Sequence, residues 1–358
     1  KTIRGTLLRL LQHYVDHMDE TSSGVEIVFP ILSLLSRLES TVGYNGLDDF
    51  RPLAVSCLGS KIWKVREMTA RVIPPLLGDQ DTIKFLRNLI DDASLQNQNK
   101  LHGVCLAGLN IVISKIQADA EIPQDFLEFF FEKFDELVIL NPSPETALAY
   151  LRIIKEIFFA APDNQLLVQK LIPKCTYLWK HLPGSGMSSA HRVFQSELAE
   201  ITLVNAFNIN GNPLSLATEM VLCYESYEVQ LMAIEQLSSR VDYLTGTNSA
   251  QVLQALWDVF ASQAWDQVRG PAARLFSQIF SKFAQDSSAQ AFRDNVPKYW
   301  EVLYSSVRPG ENTEEINESC LEALGIFSGQ LYSQEADARI NKWLDLVSRF
   351  SDENEAYP

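Results

Sequence analysis

The stretch Val65-Arg-Glu-Met-Thr-Ala-Arg-Val-Ile73 decides the fold, because its pattern recurs without gaps four more times along the chain. Each copy begins with an aliphatic residue, has small or medium-sized residues three to five positions later, and has an apolar residue eight positions later. This spacing places a stripe of small residues on the helix face that approaches a neighbouring helix. The other copies begin at Leu101, Val229, Val268 and Ile316.

The distance between copies indicates the type of repeat. Adjacent starts differ by 36, 39 and 48 residues, which is the spacing of two-helix repeats of about 40 to 47 residues. The 128 residues between Leu101 and Val229 leave room for two degenerate units, around 143–159 and 186–204. The pattern resembles the HEAT/armadillo class of α-solenoid, with the aliphatic-Arg pairs Val65-Arg66 and Val268-Arg269 in the inner helix.

The rest of the chain has the same helical periodicity. Apolar residues recur at three- and four-residue spacing in nearly every long segment, and we find no run of alternating strand character. The Asn45-Gly46 pair falls in a polar loop, and Ser143-Pro144 is a helix start signal. We therefore predict an all-α solenoid in which residues 1–358 form one continuous array. We expect this array to be the C-terminal part of a longer chain, because the sequence opens within an amphipathic segment. The alternative is an irregular helical bundle.

Composition narrows the function classes. The chain has 358 residues, 46% of them hydrophobic, and 30 basic against 45 acidic residues give a net charge of −15. Phosphate backbones are repelled by such a chain, so DNA is not an expected partner and an RNA role needs a local basic patch. The five cysteines are at least 48 residues apart, which excludes CxxC motifs and favours the reducing cytoplasm. No apolar run of membrane-spanning length occurs.

The known catalytic motifs are missing from the sequence. There is no GxGxxG after a strand, no GxxxxGK[ST], no HExxH and no GxSxG. His13 and His17 are four residues apart on one predicted helix, but no Cys or carboxylate stands at matching spacing, so we interpret them as solvent-facing. We predict a protein without catalytic residues, metal or bound cofactor.

One stretch of the chain has an unusual charge. Residues 164–196 contain no acidic residue, a pattern that favours contact with RNA or with an acidic protein surface; ordinary solvated lysines are the alternative. The candidate contacts there are Lys170, Lys174, Lys180, His181, His191 and Arg192. A second candidate set, Lys61, Lys64 and Arg71, falls on one helical stripe.

Two further charged features of the sequence each allow two interpretations. No basic residue occurs between Arg308 and Arg339, so this segment is either a docking face for a basic partner or a solvated acidic face. Arg66 and Arg269 lie beside the packing face, where an arginine more often ties adjacent repeats together through a carboxylate than binds a ligand.

A more specific resemblance covers roughly residues 25–110. Phe29-Pro-Ile-Leu-Ser-Leu-Leu-Ser-Arg-Leu38 is followed by Phe50-Arg-Pro-Leu-Ala-Val-Ser-Cys57, by Trp63 to Arg71 with Pro74-Pro75, and by Asn99-Lys-Leu-His-Gly103. This succession resembles the C-terminal part of the THADA family, which includes the fungal regulatory subunit of a tRNA 2′-O-ribose methyltransferase. The motif residues that we expect to be structural are Trp63, Val65, Arg66, Asn99, His102 and Gly103.

The resemblance implies a scaffold that holds tRNA, at the anticodon loop, against an FtsJ-like methyltransferase. The partner enzyme would bind the methyl donor S-adenosylmethionine, and this chain would bind no cofactor. Two other classes remain open: a HEAT-repeat transport receptor or adaptor that binds basic protein cargo, which the net charge of −15 also fits, and a purely structural assembly scaffold.

Overall fold

The computed structural model describes most of the chain, and the described residues contain helices and no β-strand. The Asn45-Gly46 loop and the start of the degenerate unit at Gly186 lie outside them. The described ranges are 2–18, 24–38, 47–77, 82–93, 95–118, 122–165, 167–182, 188–208, 212–244, 246–262, 265–283, 290–308, 311–328 and 334–355.

Eighteen α-helices occur in the described ranges, and the all-α prediction is confirmed. The first nine are α1 Ile3–Asp16, α2 Val25–Leu35, α3 Phe50–Cys57, α4 Trp63–Leu77, α5 Thr82–Asp92, α6 Gln98–Gln117, α7 Gln124–Glu132, α8 Pro144–Ala160 and α9 Ile172–His181. The others are α10 Ser189–Asn208, α11 Pro213–Val221, α12 Tyr227–Ser238, α13 Gly246–Ala261, α14 Asp266–Phe283, α15 Gln290–Asp294, α16 Val296–Ser306, α17 Glu314–Ser328 and α18 Gln334–Glu355. Short π-helical segments span Asp135–Ile139 and Leu167–Leu171, and a 3₁₀ turn spans Val241–Tyr243.

Helix boundaries follow local chemistry, with one informative exception. The Ser143 side chain accepts a hydrogen bond from the Thr146 backbone and Pro144 opens α8, as the sequence predicts. By contrast, α14 begins at Asp266 and contains Pro271 in its interior. Packing on both sides of α14 offsets the hydrogen bond that this proline removes.

The chain folds into two compact units, each described here by itself. The first comprises residues 1–177 and 188–198, and the second comprises 178–187 and 199–358. In the first unit, α1 pairs with α2, α3 with α4 and α5 with α6, while the second helices α2, α4, α6 and α8 contact one another in sequence. In the second unit, α11 pairs with α12, α13 with α14 and α16 with α17, and α12, α14 and α17 form the corresponding row. The predicted two-helix repeats are therefore present; that residues 1–358 form a single array stays a prediction.

The repeat motif forms the core of these rows. Its first position holds Val65, Leu101, Val229, Val268 and Ile316, and none of these side chains is exposed. Its fifth position holds Thr69, Cys105, Ala233, Ala272 and Cys320, which are at most 1% exposed. Small side chains at the fifth position let neighbouring second helices approach closely, as ridge-and-groove packing requires.

The second position of the motif carries a polar side chain with a structural role. In α12, Gln230 Nε2 donates to the Val221 carbonyl at 2.9 Å, and in α14, Arg269 Nε donates to the Phe260 carbonyl at 3.3 Å. In α17, the Asn317 side chain accepts from Arg308 N at 2.9 Å. Each partner lies nine residues earlier, where the first helix of the pair ends and leaves backbone groups without helical partners. The side chain thus closes the turn within its own repeat.

The third position accommodates close backbone approach. A Cβ added at Gly103 would lie 2.1 Å from the Leu58 carbonyl oxygen, and one added at Gly270 would lie 3.3 Å from the Glu315 carbonyl oxygen. A methyl group at Gly103 therefore cannot fit unless α6 moves away from the turn after α3. Glycine here sets the distance between two consecutive repeats.

We expect Gly103→Ala to lower the free energy of unfolding by about 3 kcal/mol, at the upper end for overpacking of a close-packed site. Urea unfolding of the chain, followed by circular dichroism, measures this change. Gly59→Ala is the matched control, because its added Cβ would come no closer than 3.5 Å to the Ser56 carbonyl oxygen. Equal losses in the two variants would contradict the proposed role of Gly103.

Candidate functional site

The family-motif residues come together around the buried Arg66 guanidinium. Arg66 Nη1 donates to the carbonyl oxygens of Ser60 at 2.7 Å and Lys61 at 3.2 Å, both in the turn between α3 and α4. The same nitrogen donates to Asn99 Oδ1 at 3.0 Å, and Nε donates to His102 Nδ1 at 3.3 Å. Asn99 and His102 belong to α6 of the next repeat, so Arg66 ties two repeats together.

The partners of Arg66 differ from the expected carboxylate. The tie between repeats that we predicted is present, but its acceptors are two carbonyls, an amide and an imidazole. Burial lowers the pKa of Arg66, yet a guanidinium stays charged in a protein. Its four acceptors satisfy a charge that would otherwise be costly to bury.

The turn that Arg66 binds is held from a second side. Ser60 is 1% exposed, and its hydroxyl lies 3.0 Å from the Tyr14 hydroxyl of α1 and accepts from Ile62 N at 3.2 Å. Because Ser60 O accepts from Arg66 while Ser60 Oγ contacts α1, this turn connects three successive helix pairs. The polar groups of Ser60 and Arg66 thus bind other groups of the protein itself, and we call this cluster the structural centre.

His102 is kept neutral in this centre. Desolvation by burial, and then the positive charge of Arg66, lower its pKa to about 4, while Glu145 opposes the shift. A neutral imidazole accepts the Arg66 hydrogen bond, whereas an imidazolium could only donate. His102 therefore serves the packing of α6 rather than proton transfer to a ligand.

Trp63 is the exposed member of the motif set. Its side chain is 52% exposed at the start of α4, while the Val65 side chain two residues later is fully buried. The sequence analysis groups Trp63 and Val65 together as structural residues. In the structure, Trp63 lies on the exposed face of α4 and Val65 on the buried face.

The basic stretch places Lys170 and Lys174 on the first unit. Both ammonium groups lie over the Phe131 ring, 5.5 Å and 5.2 Å from its centroid. Lys174 also forms an ion pair with Asp135 at 2.5 Å. Sequence reasoning missed Asp135 because it is 39 residues away from Lys174, one repeat earlier, in a segment outside the acid-free stretch.

Lys180 and His181 belong to the second unit, at the end of α9. Lys180 pairs with Glu219 at 3.0 Å, again 39 residues along the chain, and lies 5.5 Å from the Trp179 ring. In the first unit, His191 Nδ1 lies 2.9 Å from the Ser188 hydroxyl. Lys174, Lys180 and His191 thus have local polar partners while keeping exposed surface.

The second basic candidate set is only partly helical. Helix α4 begins at Trp63, so Lys61 lies in the preceding turn, whose carbonyls Arg66 binds, and the predicted stripe of Lys61, Lys64 and Arg71 is wrong for Lys61. Lys64 and Arg71 are exposed on α4. Arg71 pairs with Glu67 one turn earlier at 2.6 Å.

The buried cysteines of the described residues are poor nucleophiles. Burial raises the pKa of the Cys57, Cys105, Cys175 and Cys320 thiols to about 12, so they stay protonated and unreactive near neutral pH. Among the described residues, no group of three or more histidine, cysteine or carboxylate side chains is placed to hold a metal ion. Nor does any helix in the described ranges combine the length and the apolarity needed to cross a membrane.

These features define a helical repeat protein whose described polar centres stabilise its own fold. A family model described as the C-terminal TPR repeats of Trm732 matches residues 1–111. The tRNA (32-2′-O)-methyltransferase regulator trm732 of Schizosaccharomyces pombe (strain 972) is 25% identical to this chain over 385 residues, which cover 99% of the chain and 25% of that protein. The chain therefore spans about a quarter of the length of that protein. The resemblance predicted from residues 25–110 is confirmed.

The family description classes the repeats as TPR, whereas the sequence pattern resembled HEAT/armadillo repeats. Both classes build α-solenoids by stacking helix pairs. The predicted α-solenoid of two-helix repeats is confirmed at that level.

We expect the stability of the chain to depend on pH through His102. Its pKa of about 4 in the folded state lies below the 6.5 of the unfolded state, so the unfolded chain takes up the proton first as pH falls. The resulting stability is fully present above pH 6.5 and is lost progressively down to about pH 4, by about 3 kcal/mol in total.

Urea unfolding at several pH values measures this loss, with His102→Gln as the test variant. The difference in unfolding free energy between wild type and His102→Gln should shrink as pH falls from 6.5 to 4, because glutamine does not titrate. His17→Gln, at an exposed histidine, is the control and should keep the wild-type pH dependence. A parallel pH dependence in wild type and His102→Gln would refute the buried neutral imidazole.

Proposed function

We propose that this chain is a non-catalytic part of a regulatory subunit of a tRNA 2′-O-ribose methyltransferase complex. The observation that carries the proposal is the similarity of 99% of the chain to a protein named as a regulator of such an enzyme. In this proposal an FtsJ-like partner binds S-adenosylmethionine and performs the methyl transfer. Residues 1–358 form one continuous helical array that helps to position the tRNA anticodon loop and the enzyme in the cytoplasm.

The chemistry of the described residues supports a non-catalytic role. Buried polar groups such as Arg66, Gln230 and Asn317 are directed at the chain's own backbone. The buried thiols have pKa values raised above the physiological range. A binding function is therefore left to the exposed surface, and repeat proteins typically bind their partners through extended surfaces.

We expect the chain to show no binding of S-adenosylmethionine in isothermal titration calorimetry. The FtsJ-like methyltransferase in the same titration is the positive control. The chain alone should also transfer no methyl group to tRNA, whereas adding the full-length regulator to the methyltransferase should raise 2′-O-methylation. Binding of the donor by the chain alone would refute the non-catalytic assignment.

Within this function, we propose that the basic stretch contacts the tRNA backbone. Lys170 and Lys180 are exposed, and Lys174 is partly exposed. The ion pairs of Lys174 with Asp135 and of Lys180 with Glu219 are solvent-exposed. Each of these ion pairs therefore holds its lysine only weakly. Phosphates compete for such lysines by releasing bound counterions, which makes the affinity depend steeply on salt.

Replacing Lys170, Lys174 and Lys180 with Glu should weaken tRNA binding by the assembled complex and flatten the salt dependence of its affinity. Filter binding at several salt concentrations measures both. The matched control replaces Lys84, Lys282 and Lys298 with Glu. It makes the same change in net charge and also breaks an exposed ion pair between repeats, the one between Lys282 and Asp242.

The outcomes separate the roles of this stretch. Loss of tRNA binding with the methyltransferase still attached supports an RNA surface, and loss of the methyltransferase identifies a protein-docking surface instead. If both remain and the salt dependence is unchanged, the stretch is a solvated face. Folding should survive in all variants, because exposed charge changes usually cost within about 0.5 kcal/mol each.

A further inference from the structure

A groove lies between α12 and α14 in the second unit and encloses about 400 Å³. From α12 it is lined by Leu231, Glu235 and Ser238, and from α14 by residues between Gln267 and Gln278. At a rise of about 1.5 Å per residue, this stretch of α14 makes the groove about 17 Å long. It can hold a short peptide segment along its length.

Two aromatic rings stand at the end of the groove where both helices begin. Tyr227 is the first residue of α12 and Trp265 directly precedes α14, and their ring centroids are 5.7 Å apart. The Trp265 side chain is 52% exposed. Tryptophan and tyrosine are enriched among the residues that dominate binding at protein interfaces, so this ring pair is available to a segment that lies along the groove.

Helix α17 adds a carboxylate to the groove because it packs closely on α14. A Cβ at Gly270 would lie 3.2 Å from Ser319 Oγ and 3.3 Å from the Glu315 carbonyl oxygen. The missing side chain lets the first turn of α17 approach α14. Glu315 therefore lines the groove together with Glu235 of α12.

The groove offers hydrogen-bond acceptors without a spare cation. Glu235 and Glu315 are exposed and form no ion pair within the described part of the chain. Arg274, the basic residue in its lining, already pairs with Glu322 at 3.0 Å and donates to Ser319 Oγ at 3.0 Å. Pro271 has no N–H, so the Gln267 carbonyl one turn earlier lacks the helical hydrogen bond of that position.

We propose that this groove binds a segment of a partner protein that carries lysine or arginine side chains. A cationic head group would pair with Glu235 and Glu315, and a second would lie against the face of Trp265, where cation–π attraction is strongest. RNA is disfavoured because both carboxylates repel phosphate. A purely apolar helix is disfavoured because it would bury the carboxylates without partners. This inference does not depend on the proposed function, since it requires neither tRNA nor a methyltransferase.

The test is a titration of a fluorescently labelled nona-arginine peptide with the full-length protein, followed by fluorescence anisotropy. We expect the double variant Glu235→Lys, Glu315→Lys to bind the peptide at least about tenfold more weakly than wild type. The control double variant Glu26→Lys, Glu132→Lys makes the same change in net charge at exposed carboxylates of the first unit that do not line the groove. It should change the affinity less than about twofold. Equal losses in the two variants would mean that the peptide follows only the net charge and would overturn the proposal.

Trp265 provides a second test that leaves the charge unchanged. Trp265→Ala should weaken peptide binding severalfold and should shift thermal unfolding about as much as Trp63→Ala does, because the two side chains are equally exposed. Trp63→Ala, at a tryptophan that is also 52% exposed, should have no effect on binding. Equal effects of the two tryptophan variants on peptide binding would overturn the proposal.

A labelled oligoadenylate RNA, titrated with the protein in the absence of peptide, is the alternative probe. Binding of this RNA by wild type, with at least about tenfold weaker binding by Trp265→Ala, would make the groove an RNA site and overturn the proposal. Co-purification of the methyltransferase is measured in parallel. Its loss or retention bears on the proposed function alone and leaves the peptide result interpretable.

Discussion

In four of the five motif copies, the side chain at the second position binds main-chain groups at the end of the preceding helix or in the turn after it. Arg66 is the strongest case, because one buried guanidinium satisfies two turn carbonyls and reaches Asn99 and His102 of the next repeat. Buried backbone groups without partners cost free energy comparable to a lost hydrogen bond. The second position of the motif therefore fixes the turn, the turn fixes the angle between the paired helices, and that angle sets where the next pair begins.

Ion pairs between repeats follow from the same regular geometry. Residues about one repeat apart become neighbours, as in Lys174 with Asp135 and Lys180 with Glu219, each 39 residues apart. Cations are scarce in a chain of net charge −15, and these contacts occupy several of them. Some carboxylates consequently remain without an ion pair, and where two of them line one groove, as Glu235 and Glu315 do, the surface selects a positively charged partner.

The sequence predicts which helix positions are buried, but it does not predict the partners of the polar side chains. Apolar spacing identified Val65 and its counterparts, because burial at the first position is a local consequence of helical periodicity. The carbonyl partners of Arg66 depend on the path of a turn, which the spacing does not encode. The lysine stripe failed at Lys61 for the same reason, since this turn delays the start of α4. The partner of Lys174 depends on the rotation between two repeats, which a single sequence leaves undetermined.

This division between core and surface also explains how function is distributed in the chain. Buried polar side chains such as Arg66, Gln230 and Asn317 bind the chain's own backbone, so substituting them changes folding before it changes binding. Exposed charges such as Glu235 contribute little to folding, and exchanging them usually changes stability by within about 0.5 kcal/mol. A similarity of 25% spread over 99% of the chain therefore supports the shared repeat architecture. The identity of a partner depends on the few surface groups that the repeats leave without internal partners.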